Sequence, residues 1–180
     1  MSNVIFLTAD DFYVDKGTKG PIMCNNISGI CFVLFHANPG QCAGCDETVP
    51  EFKKVSQIIN NCKFGLCNIS RNQQVLRLSG KTIAPIEYVP YMLLYYNGRP
   101  IARYDGEERG YQDLAEFVQE MAARLQSKKN FIENKGYKFD SDIAIYGGIP
   151  FNVVCDEDKG VCYLTSAEVT SQNQPFKKKL

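Results

Sequence analysis

Two cysteines separated by two small residues are the part of this sequence best suited to chemistry. Cys42-Ala43-Gly44-Cys45 follows a turn-forming stretch at 36–41, and helical spacing of apolar residues begins directly after it. A helix N-terminus stabilises negative charge, so it favours the nucleophilic thiolate of the first cysteine. The second cysteine lies one turn further on, close enough to resolve a mixed disulfide. The motif predicts thiol–disulfide chemistry, with two structural thiols as the alternative.

Metal binding is the other chemistry that neighbouring cysteines can support. A structural zinc site needs four ligands, usually supplied as two closely spaced pairs. The sequence has eight cysteines but a single CxxC pair, and His36 is its only histidine. We therefore expect no metal site, and the sequence predicts no cofactor.

The elements that must position the motif alternate between strands and helices. Strands are predicted at 3–7, 29–35, 64–69, 91–96 and 101–104, and helices after Cys42, at 72–79 and at 111–125. Three glycines and a proline within 13–29 predict mostly irregular structure there. Asn97-Gly98 between two apolar runs predicts a hairpin. The order indicates an α/β domain, in which a βαβ crossover is extended by antiparallel strands.

In this order and at these spacings, the residues resemble the thioredoxin superfamily over roughly residues 3 to 125. The matching features include Phe35-His36-Ala37 where the family has an aromatic pair and alanine, a proline five residues after the second cysteine, and Val89-Pro90 before an apolar strand. The resemblance implies a thioredoxin-like fold, with a mixed central β-sheet flanked by helices, plus a C-terminal extension. It also implies that Pro90 is a cis-proline facing the motif, a conformation nearly confined to proline.

The resemblance assigns roles to five residues. Cys42 would be the nucleophile and Cys45 the resolving thiol of a thiol–disulfide oxidoreductase. Val89 and Pro90 would pair with an extended substrate, and Gln41, directly before the motif, would border the same surface. The implied partners are protein thiols and disulfides.

Several positions depart from the family pattern. Gln41 stands where thioredoxins carry tryptophan, a residue that this chain lacks altogether, and Leu34 stands in place of a buried acid. That acid normally helps to move the proton of the resolving cysteine. His36 either substitutes as a base or only packs in an aromatic position. Asp46 and Glu47 either oppose the thiolate or cap the first helical turn. We therefore expect a weak oxidoreductase, or a fold kept for structure.

The residues beyond the domain carry further cysteines. With the thioredoxin-like domain at 1–126, the extension covers 127–180 and contains a predicted hairpin at 151–164. Cys155 and Cys162 lie near the ends of its turn, either as a structural disulfide or as two reduced thiols. Cys62 and Cys67, within the domain, are expected to pack rather than bond.

The extension resembles proteins of large DNA viruses. This resemblance implies an alternative function: the protein would be a structural minor capsid component of the virion that contacts neighbouring subunits.

Charge and hydropathy exclude several classes of partner. Twenty basic and twenty acidic residues give a formal net charge of zero, which argues against duplex nucleic acid or an anionic membrane as partner. No stretch approaches the roughly 18 apolar residues that a membrane-spanning helix needs. The first residues do not resemble a signal peptide, because Asp10 and Asp11 follow a short apolar run. We therefore expect a cytoplasmic protein, or a virion protein under the alternative.

Overall fold

A computed structural model describes residues 4–17, 19–134, 152–156 and 161–165. Its strands are β1 (Val4–Leu7), β2 (Phe12–Gly17), β3 (Gly20–Asn25), β4 (Ile30–His36), β5 (Lys63–Asn68), β6 (Tyr91–Tyr96), β7 (Arg99–Arg103), β8 (Asn152–Asp156) and β9 (Val161–Thr165). Its helices are α1 (Ala43–Ile58), α2 (Gln73–Ser79) and α3 (Tyr111–Asn134), with a short 3-10 helix at Ala9–Asp11.

Five strands form one mixed sheet in the order β1-β5-β4-β6-β7. The first three strands in that order are parallel, and β6 and β7 continue the sheet in antiparallel fashion. Strand β4 lies at the centre, and its residues 31–35 are fully buried, as expected for a continuous apolar run covered on both faces. The predicted α/β class and thioredoxin-like fold are confirmed.

The two faces of the sheet carry separate apolar cores. Helices α1 and α3 cover one face, where Phe52 packs against Phe32 and Phe64 with ring centroids 5.3 Å and 5.5 Å apart. Helix α2 and the β2–β3 ribbon cover the other face, where Phe12 packs against Phe35 at 5.5 Å. Packing on both faces fixes the end of β4 and the start of α1, between which the loop leads to the CxxC motif.

The prediction of irregular structure at 13–29 is wrong for much of that segment. Strands β2 and β3 pair in an antiparallel ribbon from Phe12–Asn25 to Gly17–Gly20. The glycines that suggested a loop serve the turn, where Gly20 has a φ of 144°. The ribbon is joined to the sheet edge, since the Asn25 N–H donates to the Gly98 carbonyl at 2.8 Å.

The predicted hairpin at Asn97-Gly98 is confirmed. It joins β6 to β7, and both turn residues have positive φ angles, 47° and 79°. Asparagine and glycine tolerate this backbone region better than other residues, which explains their place in tight hairpins. This turn lies at the end of the sheet away from Pro90.

Beyond the sheet, α3 continues to Asn134, nine residues past the predicted end at Leu125. The predicted hairpin in the extension is present, with β8 and β9 antiparallel. The division into 1–126 and 127–180 remains a prediction. In the part of the chain that the structure describes, no helix has both the length and the apolar character needed to cross a membrane.

Candidate functional site

The CxxC motif forms the first turn of α1, as predicted. Cys42 is the N-cap residue, with an extended backbone, and its sulfur accepts a hydrogen bond from the Cys45 N–H at 3.1 Å. The two sulfur atoms are in disulfide contact, and the two Cα atoms lie 5.2 Å apart. Because the unpaired N–H groups of a helix start point toward Cys42, they stabilise a thiolate there.

The two cysteines differ in their access to solvent. Cys42 is partly exposed, whereas the Cys45 side chain is only 1% exposed beneath it. An incoming disulfide can therefore reach the first sulfur but not the second. This asymmetry gives the two residues the positions that a nucleophile and a resolving thiol require.

The Val89–Pro90 peptide bond is cis, as predicted, and it lies directly against the motif. The Cys42 sulfur is 3.7 Å from the Val89 carbonyl oxygen, so that a Cys42 thiol can donate to it. A Cβ atom added at Gly44 would lie 3.3 Å from the Pro90 ring. The small residue at Gly44 therefore permits the close approach of the helix start and the proline.

The loop before the motif is fixed by two side chains. Gln41 is exposed, and its side-chain amide oxygen Oε1 accepts a hydrogen bond from the Ser70 hydroxyl at 2.9 Å. The Asp46 carboxylate accepts from the Gly40 N–H at 3.0 Å. Asp46 thus ties the loop to the first turn of α1. Asp46 was considered either as a charge that opposes the thiolate or as a residue that caps the first helical turn. The contact with Gly40 favours the second role, because it orders the start of α1.

The structure also locates the two departures from the family pattern that concern proton transfer. Leu34 is fully buried in the core covered by α1 and α3, so an apolar side chain fills the place of the family's acid. The His36 Nδ1 atom lies 2.8 Å from the Ala37 carbonyl oxygen. A carbonyl only accepts hydrogen bonds, so Nδ1 is the donor. His36 therefore hydrogen-bonds its neighbour's backbone rather than a cysteine.

Cys24 is buried, and the thiols of Cys31, Cys62 and Cys67 are buried and form no disulfide. The prediction that Cys62 and Cys67 pack rather than bond is confirmed. Burial raises the pKa of each of the three thiols to about 12, because the thiolate would lose its hydration. They therefore remain protonated at neutral pH and are poor nucleophiles there.

The cysteines of the extension lie opposite each other. In the β8–β9 register, Cys155 is the partner of Cys162. Directly opposed positions on antiparallel strands bring Cα atoms to distances that a disulfide can span. The proposed bond itself concerns side chains outside the described part of the structure and remains a prediction.

One residue of the site was missed by the sequence analysis. Tyr88, next to Val89, is 49% exposed, and its ring packs edge-on against Tyr91 at 5.4 Å. The available signal was an aromatic residue directly before the predicted Val-Pro pair.

Beside Gly44 there is also a cavity of about 280 Å³, whose lining includes Glu47 and Glu107. Among the described residues, no group of three or more potential ligands could hold a metal ion.

The fold and the site together define the class of this protein. The sheet order, a CxxC pair at a helix start and a facing cis-proline are the features of a thioredoxin-like protein. No protein-family model matches the chain. It belongs to the family of uncharacterized protein 196R of Invertebrate iridescent virus 6, with 32% identity over 131 residues that cover 69% of this chain and 74% of that protein.

Further similarities extend the comparison. Uncharacterized protein 020R of Invertebrate iridescent virus 3 is 27% identical over 110 residues, which cover 58% of this chain and 64% of that protein. The J-Trx1 fragment of ERdj5 gives a TM-score of 0.48 at 18% identity, covering 66% of this chain and 51% of the fragment. The zinc-bound form of human ERp44 gives 0.45 at 20% identity, covering 52% of this chain and 27% of that protein. The two curated relatives are viral proteins, as the resemblance of the extension implied.

Proposed function

We propose that this protein is a thiol–disulfide oxidoreductase acting on protein thiols and disulfides. The observation that carries the proposal is the position of the Cys42 sulfur. It accepts the Cys45 N–H at the start of α1, and it lies 3.7 Å from the Val89 carbonyl beside the cis-proline. One partly exposed sulfur thus has an anion-stabilising donor on one side and a substrate-pairing backbone on the other.

The reaction proceeds by two exchanges. The Cys42 thiolate attacks a sulfur of the substrate disulfide, forms a mixed disulfide and displaces the other substrate sulfur as a thiolate. The Cys45 thiolate then attacks the Cys42 sulfur, closes the Cys42–Cys45 disulfide and releases the second substrate thiolate. Two electrons pass from the protein dithiol to the substrate, and the two protons of the dithiol balance the released thiolates. The reverse sequence oxidises a substrate dithiol.

The second exchange sets the expected rate. Cys45 must lose its proton in a buried position, and Leu34 supplies no carboxylate there. Burial disfavours the thiolate form of a cysteine, so resolution of the mixed disulfide is expected to be the slow step. This arrangement supports a weak oxidoreductase, whose mixed disulfides persist longer than those of a site with a buried acid.

A redox titration tests the proposal directly. Full-length protein is equilibrated in glutathione buffers of increasing oxidation, and the Cys42–Cys45 state is read by mass spectrometry after alkylation. We expect a reversible two-electron transition within roughly −270 to −180 mV. A Cys42→Ser variant should lose disulfide reduction while keeping its fold. A pair locked in one state over that range, or full activity in Cys42→Ser, would contradict the proposal.

A structural component of a viral particle is the second candidate function. It is supported by the two relatives from iridescent viruses and by the apolar Leu34 at the position of the family's acid. Its partners would be neighbouring subunits of the particle, and its location the virion rather than the cytoplasm. Constant stoichiometry with purified particles supports this candidate. Absence from particles, together with brisk turnover of the dithiol, would refute it.

A further inference from the structure

Tyr88 presents an aromatic ring to solvent one residue before Val89, whose carbonyl oxygen lies 3.7 Å from the Cys42 sulfur. The Tyr88 side chain is 49% exposed, although Tyr91, against which it packs, is only 1% exposed. The Tyr88 and Tyr91 rings meet edge-on with centroids 5.4 Å apart. An exposed tyrosine in a turn normally samples several orientations, whereas this ring rests on a buried one.

The support beneath Tyr88 is itself anchored. The Arg103 guanidinium lies 5.9 Å from the centre of the Tyr91 ring, in cation–π geometry. Arg103 also donates to the Asp105 carboxylate at 3.1 Å. Tyr88, Tyr91 and Arg103 thus form a stack that fixes the outermost ring. A ring fixed before binding loses little conformational entropy when a partner covers it.

The place of this ring relative to the reaction is set by the backbone. Val89 separates Tyr88 from the cis-proline, and the Val89 carbonyl lies 3.7 Å from the Cys42 sulfur. Consecutive Cα atoms are only about 3.8 Å apart, so a polypeptide that pairs with Val89 must pass Tyr88 within one or two residues of its cysteine. Across the motif, the exposed Gln41 side chain offers no aromatic surface.

We propose that Tyr88 is the positioning residue that gives this site its preference for polypeptide disulfides over small ones. The proposal rests on the proposed thiol–disulfide function and adds the residue that sets its substrate preference. The ring contacts side chains that flank the substrate cysteine and holds the substrate sulfur in line with Cys42. A small disulfide lacks those flanking residues and gains nothing from the ring.

Rates of a single turnover test the proposal without an external reductant. Reduced full-length protein is mixed with a synthetic peptide that has one internal disulfide, or with hydroxyethyl disulfide as the small substrate. We expect Tyr88→Ala to slow the peptide reaction about five- to tenfold, the size of a lost aromatic contact. It should leave the small-disulfide rate within about twofold of the wild type. The Tyr88→Phe variant keeps the ring and should restore the peptide rate.

Tyr13 provides the matched control, because it is 43% exposed and lies on the β2–β3 ribbon. Tyr13→Ala should change neither rate. An equal fall in both rates for Tyr88→Ala would overturn the positioning role, and so would an unchanged peptide rate. If the wild type reacts with neither disulfide, the proposed oxidoreductase fails on its own account.

Peptide binding can be measured even without turnover. The chain contains no tryptophan, so Tyr88→Trp introduces a single tryptophan at the proposed contact, and its emission can be excited selectively at wavelengths that tyrosine does not absorb. The probe is the same peptide with serine in place of both cysteines. We expect a saturable change in tryptophan emission for Tyr88→Trp and none for Tyr13→Trp. No change at Tyr88→Trp, or equal changes in both variants, would overturn the proposal in the absence of any chemistry.

Discussion

Selective alkylation provides a direct test of how the fold divides its thiols into reactive and inert classes. Reduced native protein is treated with limiting iodoacetamide at about pH 7.5, where only thiolates react appreciably. We expect Cys42 to be modified first. Cys31, Cys62 and Cys67 should remain unmodified until the protein unfolds, because their side chains are buried.

The expected difference in rate follows from the thiolate populations. A thiol with a pKa of about 12, such as Cys31, Cys62 or Cys67, is ionised to only about one part in thirty thousand at pH 7.5. A solvent-exposed thiol of ordinary pKa is ionised to about one part in ten at that pH. The ionisation alone slows the buried thiols about three thousandfold relative to such a thiol. Restricted access of the reagent adds to this factor.

The assay is a time course with peptide mapping by mass spectrometry, which follows each cysteine separately. Denatured protein provides the control, since all thiols should then react at similar rates. A Cys42→Ser variant should show almost no early labelling within the domain. Labelling of Cys62 or Cys67 at a rate close to that of Cys42 in the native state would refute the reasoning.

Three further predictions concern stability, each measured by urea unfolding of the reduced protein. Cys42→Ala should lose about 1 kcal/mol relative to Cys42→Ser, because only serine retains an N-cap acceptor; equal stabilities would contradict this. Both Gly98 and Gly40 have φ near 80°, so Gly40→Ala should destabilise the fold by about 1–2 kcal/mol through backbone strain alone. Gly98→Ala should cost clearly more, because its Cβ atom would also lie 2.0 Å from the Asn25 carbonyl oxygen. Phe52→Ala removes a fully buried ring from two aromatic neighbours and should cost about 3–5 kcal/mol, so a loss below about 1 kcal/mol would show that the core repacks.

Local signals in the sequence were sufficient for the central parts of the site. The Cys42–Cys45 spacing before a helical pattern, and Val89-Pro90 before an apolar strand, each state a backbone requirement within a few residues. The Asn97-Gly98 turn is likewise a local property, because both residues need positive φ. Such features are predictable from sequence because the residues that cause them are adjacent in the chain.

Features that depend on distant contacts were not predictable in this way. The β2–β3 ribbon is stabilised by packing on the sheet and by the bond from Asn25 to Gly98, residues that lie far apart in the sequence. The support of Tyr88 by Tyr91 and Arg103 depends on the pairing of β6 with β7. The length of α3 was underestimated because residues 126–134 lack the apolar spacing by which the helix was recognised. The helix nevertheless continues there, since the segment contains no proline or glycine to end it.

The path of residues 4–25 across the sheet has a consequence for synthesis on the ribosome. Among the described strands, β1 pairs with β5 alone, at one edge of the sheet, and β3 is joined through Asn25 to Gly98 at the other edge. The earliest part of the domain to leave the exit tunnel therefore waits for partners made some 60 to 73 residues later. Until β4, β5 and β6 have emerged, apolar side chains of this segment such as Phe12 and Met23 lack the neighbours that bury them, and they are exposed to solvent and to chaperones. Nascent chains stalled before residue 97 should accordingly be protease-sensitive throughout, and chains stalled well beyond β7 should become resistant in one step.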